Sequence, residues 1–392
     1  MSDPGSSPSI QLPDDFRFGE LRPDHRAVPP PSPPPPLGPL SAFTGTFVGN
    51  GFNTIFRPNS TATPTQLPNA VLPPPPPHDN VLELNLTAET LAFSKSLGSV
   101  PNRGTGAQAD ALLNGVPYVQ TVNDTTIHGE SVPIHFEPGL WMHVPATTVP
   151  PLGSTVTRMA SIPHGTTIEA QGLVAAAING APTIDPVDIT PIIIATGAPF
   201  RFPSQTAANA ATLRIPQDLG PFITRGTITQ AMLDDPNSLL RQQIQHQKIL
   251  STTTIFISTA PPPPAGAFGG GTANIAFLLG QPAATAPNAQ SAKMTAVFWI
   301  ETVQEDIIVA VHGKGHKFTV KGKLNTPGQR VPLFTGTIPV NMTAPRTLTV
   351  TYTQIQYTQT VILNFSGLAW PHVSVNTLVP AEAIVVPDSA WT

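Results

Sequence analysis

Histidine is the residue type in this chain best suited to chemistry. The 392-residue sequence contains ten histidines, only 11% charged residues and no cysteine. The absence of cysteine excludes disulfides, thiol nucleophiles and cysteine-ligated zinc or iron–sulfur centres. A neutral imidazole can still bind a metal through one nitrogen, or carry a proton near neutral pH. The histidines are therefore the candidates for catalysis and for metal binding.

The surroundings of each histidine narrow this choice. His25, His78 and His246 fall in a tail, a proline loop and a helical segment, and the sequence HGKGH (312–316) indicates a solvated turn. The four that lie in or beside predicted strands are His135, His143, His164 and His372. A single histidine in a strand is more often a hydrogen-bonded core or rim residue than a ligand. Spacing alone therefore leaves both roles open for His372.

Several classes of site have no support in the sequence. There is no P-loop, no Rossmann glycine fingerprint, no HExxH and no GxSxG. The net charge is −4 and the chain has no Lys/Arg run, so the electrostatic footprint of a nucleic-acid-binding protein is missing. The N-terminus has no signal-peptide pattern, and no apolar run reaches the length of a membrane helix. We therefore expect a cytoplasmic protein without a membrane span, and an oligomer is possible.

Short alternating segments predict that strands position these histidines. VLELNLTAETLAFS (81–94) and RTLTVTYTQIQYTQTVILNFSG (346–367) alternate apolar and polar residues, and Gly, Pro or Asn bounds most such segments. This pattern predicts an antiparallel sandwich or barrel. In SAFTGTFVGNGFNTIFRP (41–58) phenylalanines share a strand with glycines, which indicates a bend or a close approach of backbones. The spacing alone does not separate barrel from sandwich.

Two segments break the strand pattern. Residues 1–40 end in a polyproline tract without apolar periodicity, which predicts a disordered tail. Residues 173–250 are rich in small residues and contain a helix signal, with Asp235 as N-cap and Pro236 in the first turn. We predict a partly helical insertion there, within one enlarged domain over residues 41–392.

Several segments resemble, in the same order, the nitrobindin family of haem-binding calycin barrels. FTGTFVGNG resembles the first strand of that family, with Phe47 in the place of a tryptophan. IHFEPGLWMHV and VTRMASIPHGTTIEAQG resemble two central strands. GLAWPHVSVNTLV resembles the last strand, in which a histidine is the axial haem ligand. The resemblance covers scattered blocks, and the chain is much longer than one such domain.

The resemblance implies a fold and a site. The fold expected is all-β: a calycin- or lipocalin-like antiparallel barrel with extra strands and a small helical insertion. The cofactor implied is haem b, with iron bound by His372 and with contacts from Thr54, Ile55 and Trp141. His164 would be the distal acid–base group, with Thr166 and Thr167 as alternative hydrogen-bond donors. His135 and His143 are the competing assignments for the distal group.

A haem with an open coordination position suggests chemistry on a peroxide. We predict a peroxidase, peroxygenase or peroxide isomerase that acts on a hydrophobic small molecule. The alternatives are a metal-free, lipocalin-like carrier of an apolar ligand, a non-catalytic haem or nitric oxide binder, and a self-assembling structural protein.

Overall fold

The chain folds around a closed barrel of ten antiparallel strands. The computed structural model describes residues 9–28, 33–72, 79–149, 151–173, 175–260, 270–275, 288–326 and 328–391. The barrel strands are β1 Gly45–Pro58, β2 Asn80–Phe93, β3 Ala111–Asp124, β4 Val132–Val144, β5 Thr155–Ile162, β6 Thr166–Leu173, β7 Lys248–Ser258, β8 Gln290–Val309, β9 Arg346–Phe365 and β10 Leu368–Pro380.

The connections between these strands are those of an up-and-down barrel. Strands β1 to β6 pair in sequence order, and so do β7 to β10. Strand β10 then pairs with β1, and β6 meets β7 at Gln171 and Ser258, which closes the ring. Full closure satisfies the backbone groups that an open sheet would leave at its edges. The predicted all-β antiparallel barrel with extra strands and a small helical insertion is confirmed.

Shorter elements surround the barrel. The insertion between β6 and β7 contains the helices α1 Gly220–Arg225, α2 Gln230–Asp234 and α3 Asn237–Ile244. No helix in the described ranges is long and apolar enough to cross a bilayer. The short strands are Glu20–Leu21, Ala27–Val28, Val100–Asn102, Thr147–Thr148, Pro151–Leu152, Ile178–Asn179, Ile192–Ile193, Arg214–Ile215, Gly271–Asn274, Lys317–Lys321, Leu333–Thr337 and Ile384–Val385, and the 3-10 turns are Gly38–Ala42, Pro203–Gln205 and Asp388–Trp391.

The helix signal in the insertion has a clear structural counterpart in α3. The N-cap is Pro236, one residue later than the predicted Asp235, and it makes no side-chain cap hydrogen bond. The side chain of Asp235, just before it, accepts a hydrogen bond from the backbone N–H of Asn237 at 3.0 Å. Leu240 and Ile244 lie four residues apart and are both buried. They join an apolar cluster that includes Phe52 of β1, so the insertion packs against the outer face of the barrel.

The glycines of β1 allow it to lie very close to β10. A Cβ atom on Gly49 would lie 2.0 Å from the carbonyl oxygen of Thr377, and one on Gly51 would lie 2.0 Å from that of Val375. Any side chain at these positions would force the two strands apart. Glycine is therefore required where β10 closes the barrel onto β1.

One end of the barrel is filled with apolar side chains. Phe43 stacks on Phe93 with ring centroids 4.6 Å apart, and Trp141 meets Phe298 edge to face at 5.2 Å. Leu40 is completely buried in the same cluster. The residues just before β1 therefore plug this end.

For residues 35–40 the structure differs from the prediction of a disordered tail over residues 1–40, of which residues 1–8 and 29–32 lie outside the described ranges. The carbonyl oxygen of Pro35 accepts a hydrogen bond from Asn114 Nδ2 at 2.7 Å, and that of Pro36 accepts one from His143 Nδ1 at 2.9 Å. The 3-10 turn Gly38–Ala42 then carries Leu40 into the barrel. Apolar periodicity could not show this, because a single leucine beside a proline tract has no period.

The plug should contribute measurably to stability. We expect Leu40→Ala to lower the free energy of unfolding by about 2–5 kcal/mol, because it leaves a cavity in a packed core. Leu21→Ala is the matched control, since Leu21 is 76% exposed, and it should change stability by less than about 0.5 kcal/mol. Urea denaturation measures both. Equal stability of the two variants would contradict the buried position of Leu40.

Candidate functional site

The end of the barrel opposite the plug contains a cavity. Its volume is about 380 Å³, within the range of small-molecule sites. Its walls come from the ends of β1, β3 and β9, the starts of β2, β4, β8 and β10, and the turn between β5 and β6. The lining combines polar and apolar side chains. The apolar ones include Ile134, Ile162, Ile168, Met294, Val361 and Leu363.

His372 lies on the wall of this cavity, near the start of β10. Its Nε2 is 3.1 Å from Nδ2 of Asn53, whose amide also donates to Ser374 Oγ at 3.3 Å. Burial, with smaller contributions from the charges of His135 and His164, lowers the pKa of His372 to about 4. The imidazole is therefore neutral at pH 7, which is the state that binds a metal.

Two further histidines line the cavity on the far side from His372. The rings of His135 on β4 and His164 in the β5–β6 turn have centroids 6.4 Å apart. Strands β10 and β5 are five steps apart in a ring of ten, so they form opposite walls. His164 is exposed, and its Nε2 donates to the carbonyl oxygen of Ile134 at 3.3 Å. A ligand in the cavity would lie between His372 and these two rings.

The structure brings together four of the seven residues that the family resemblance assigned to the site. His372, His164, Thr166 and Ile55 all line the cavity, and Thr166 Oγ1 donates to Asn274 Oδ1 at 2.8 Å. Thr54 does not line the cavity, because neighbouring residues of β1 face opposite sides of the sheet and Asn53 and Ile55 face inwards.

Trp141 is also outside the cavity. Its ring is buried in the plug cluster, and its centroid lies 5.4 Å from the ring centroid of Phe43. Thr167, an alternative donor, is exposed and donates to the carbonyl oxygen of Ala273 at 3.4 Å. Neither residue can contact a ligand between the three histidines.

A buried carboxyl group, Glu89, lies at the inner end of the cavity. It accepts hydrogen bonds from Tyr357 Oη at 2.5 Å and from Gln120 Nε2 and Asn376 Nδ2, each at 2.8 Å. Burial raises the pKa of Glu89 to about 7, against the lowering effect of these donors. Its oxygen atoms are thus already engaged by the protein.

A buried ion pair, Arg158 with Glu137, joins the neighbouring strands β5 and β4 below the cavity. Arg158 Nη2 is 2.5 Å from Glu137 Oε1. The remaining guanidinium donors bind Tyr118 Oη at 2.7 Å, Gln359 Oε1 at 2.7 Å and Gln120 Oε1 at 3.0 Å. The guanidinium thus joins β5 to β3, β4 and β9.

The ionised state of Glu137 follows from these contacts. Burial by itself would raise its pKa, but the charge of Arg158 and the hydrogen bond with His135 outweigh burial and lower the pKa to about 2. Nε2 of His135 lies 3.1 Å from Glu137 Oε2. The ion pair therefore connects directly to the cavity wall.

The sequence analysis did not identify Asn53, Glu89, Glu137 or Arg158. One signal was present, because charged residues make up only 11% of the chain. Glu89, Glu137 and Arg158 are charged residues that lie within strands. A buried charge in a strand needs a partner, but the pairs are 21 or more residues apart and only the fold joins them.

The imidazoles of the cavity do not form a metal-binding cluster. Within the described ranges no group of three or more His, Asp or Glu side chains could hold a metal ion. His372 is neutral and faces the cavity, and its Nδ1 has no hydrogen-bond partner in the described part of the chain. Oδ1 of Asn53 is buried there without a partner as well. A neutral imidazole such as His372 in a partly aliphatic cavity fits haem, which brings its remaining ligands with it.

Comparison with protein-family models, with curated proteins and with solved structures gave no match to this chain.

The buried ion pair yields a stability prediction. Arg158→Met leaves Glu137 buried without its partner, and we expect it to lower the free energy of unfolding by about 3–5 kcal/mol. The double variant Arg158→Met/Glu137→Gln removes both charges and should recover part of this loss. Chemical denaturation of the wild type, the single variants Arg158→Met and Glu137→Gln, and the double variant completes a double-mutant cycle. A loss below about 1 kcal/mol for Arg158→Met would show that the pair contributes little.

Proposed function

We propose that this protein binds haem b inside its barrel, with His372 as the iron ligand. The observation that carries the proposal is the position of His372, a neutral imidazole on the wall of an internal cavity. The aliphatic residues of the lining suit a porphyrin, and Arg57 supplies a cation for its carboxylates, although it also pairs with Glu83 at 3.3 Å. The resemblance of β10 to a haem-ligating strand points in the same direction.

We further propose that the bound haem serves peroxide chemistry. When bound, haem supplies an iron with a free position for a peroxide oxygen. The chain supplies imidazoles on the wall opposite His372, which can move a proton between the two oxygens. The sequence predicts His164 for this role, and the structure adds His135 to the same wall. The aliphatic lining favours a hydrophobic organic hydroperoxide or co-substrate.

One observation favours the second candidate function, a metal-free carrier of a small ligand. Nε2 of His372 is already hydrogen-bonded to Asn53, and Glu89, Gln120 and Gln359 make part of the lining polar. Such a lining suits an apolar molecule with a few polar atoms. This candidate predicts that the protein gives no Soret band with haem.

Haem titration tests the main proposal. We expect the purified protein to give the Soret band of histidine-ligated haem when it is titrated with hemin. Loss of an outer-shell partner typically costs about 10–100-fold in metal affinity, so His372→Ala should weaken haem binding by more than about 100-fold. His246→Ala is the matched control, because His246 lies exposed after α3.

The outcomes of this titration separate the candidates. Circular dichroism should show the same strand content for all three proteins. An unchanged spectrum in His372→Ala would mean that another residue binds the iron. A wild type without a Soret band would favour the metal-free carrier.

Turnover of a peroxide tests the activity separately from binding. We expect the haem-loaded protein to consume hydrogen peroxide or an organic hydroperoxide faster than the same concentration of free hemin. Faster consumption of the organic substrate than of hydrogen peroxide would support the aliphatic cavity as its site. A full Soret band without any turnover would instead indicate a protein that binds haem or a diatomic gas without catalysis.

A further inference from the structure

His135 and Glu137 form a carboxylate–imidazole pair on the cavity wall. Both lie on β4, two residues apart, and therefore face the same side of the strand. Glu137 is completely buried, whereas the His135 ring lines the cavity. An ionised carboxylate only accepts hydrogen bonds, so at 3.1 Å from Glu137 Oε2 the Nε2 of His135 must carry the proton. Nδ1 then has a free lone pair.

Glu137 is held rigidly in this ionised state. Its second oxygen, Oε1, accepts from Arg158 at 2.5 Å and from the hydroxyl of Tyr118. Arg158 is in turn bound to Gln120 and Gln359, so the carboxylate cannot rotate away from the imidazole without breaking the network. A carboxylate in this position fixes the tautomer of the imidazole and stabilises the imidazolium that forms when Nδ1 takes up a proton.

The other proton-accepting groups of the lining are already engaged or are disfavoured as cations. Burial raises the pKa of Glu89 to about 7, but both of its carboxylate oxygens already accept hydrogen bonds from three donors. Glu83 pairs with Arg57. His372 is half-buried beside Asn53, and desolvation lowers its pKa.

His164 differs from His135 in the partner of its Nε2. That nitrogen donates to the backbone carbonyl of Ile134 at 3.3 Å, so a protonated His164 gains no carboxylate partner. His135 alone among these groups combines a free nitrogen with a buried counter-charge.

We infer that His135 is the proton acceptor of the cavity, positioned by Glu137, and that the ligand it takes is a small molecule with an acidic O–H group. A hydroperoxide, an oxime or a phenol has this chemistry. The ligand O–H bond breaks and an N–H bond forms at Nδ1, which leaves an oxyanion beside an imidazolium. Charge is conserved within the cavity, and no further reactant is needed. The inference goes beyond the proposed function, because the proton moves with or without haem.

A coloured phenol tests the inference on the haem-free protein. The probe is 4-nitrophenol at a pH slightly below its own pKa, where the free probe is mostly the colourless phenol. We expect the wild type to bind it as the yellow phenolate, seen in the visible spectrum of the bound probe. His135→Gln keeps an N–H donor for Glu137 but cannot take up a proton. It should lose the phenolate signal and bind the probe at least about tenfold more weakly, equivalent to one unit of pKa.

His246→Gln is the matched control, since His246 is exposed and does not line the cavity. It should retain the phenolate signal and the affinity of the wild type. His164→Gln alters the neighbouring imidazole of the same wall and should lose less of the signal than His135→Gln. Urea denaturation of all three variants shows whether a loss of signal reflects a loss of folding. The inference is wrong if His135→Gln keeps the phenolate signal, if only His164→Gln loses it, or if the wild type binds no phenolate.

A second measurement addresses the haem-loaded protein. With haem content matched by the Soret band, His135→Gln should slow turnover of an organic hydroperoxide by about 10²–10⁴-fold. His164→Gln should slow turnover less than His135→Gln does, and the exposed His246→Gln should leave it unchanged. The reverse order would assign proton transfer to His164 and overturn the inference. Failure of haem binding removes only this second experiment, so it is distinguishable from failure of the inference in the phenol assay.

Discussion

The interior of this barrel depends on the ion pair between Arg158 and Glu137. Both side chains are almost completely removed from solvent, with 2% of Arg158 and none of Glu137 exposed. Removing two charges from water costs several kcal/mol per ion, and only close pairing with further hydrogen bonds offsets that cost. The guanidinium of Arg158 has a close carboxylate partner and further hydrogen bonds. It also lies 5.6 Å from the ring centre of Phe298 and 5.8 Å from that of Trp141. The pair is thus placed between an aromatic plug and the cavity.

The position of this pair explains how one barrel contains an apolar core and a polar cavity. Below it, apolar side chains such as Leu40, Phe43 and Trp141 fill the lumen. Above it, Glu89 and Glu137 each receive several donors from the protein. The cavity therefore keeps its shape through contacts within the chain. Because the side chains are already ordered, little of the free energy of ligand binding is lost in ordering them.

The outer face of the barrel is as important to the cavity as the inner one. Along β1, Asn53 and Ile55 face the cavity, whereas Phe52 and Phe56 face outwards and are buried by the insertion. Phe56 contacts Trp370, with ring centroids 5.2 Å apart. Trp370 lies two residues before His372 on β10. The insertion thus packs against the two strands that close the barrel, and it fixes the strand that carries His372.

The sequence by itself determined the class of fold and part of the site. A two-residue alternation depends only on neighbouring residues, so it identified the strands. The same locality allowed the start of α3 to be predicted to within one residue, since the N-cap is Pro236 rather than Asp235. His372 and His164 could be named because each stands in a segment with a recognisable pattern. Only the tertiary structure decided which strands close the barrel, and therefore that Asn53 meets His372 across 319 residues of sequence.

The tertiary structure also decided which face of each strand is inside. Alternation separates the two faces of a strand, but in β1 both faces are buried, one by the barrel and one by the insertion, so hydrophobicity could not assign Thr54 to the outer face. The plug at Leu40 and the network of Glu137 and Arg158 could not be predicted from the sequence for a related reason. Their partners are distant in sequence, and the free energy that selects them comes from burial and pairing, which no local pattern records.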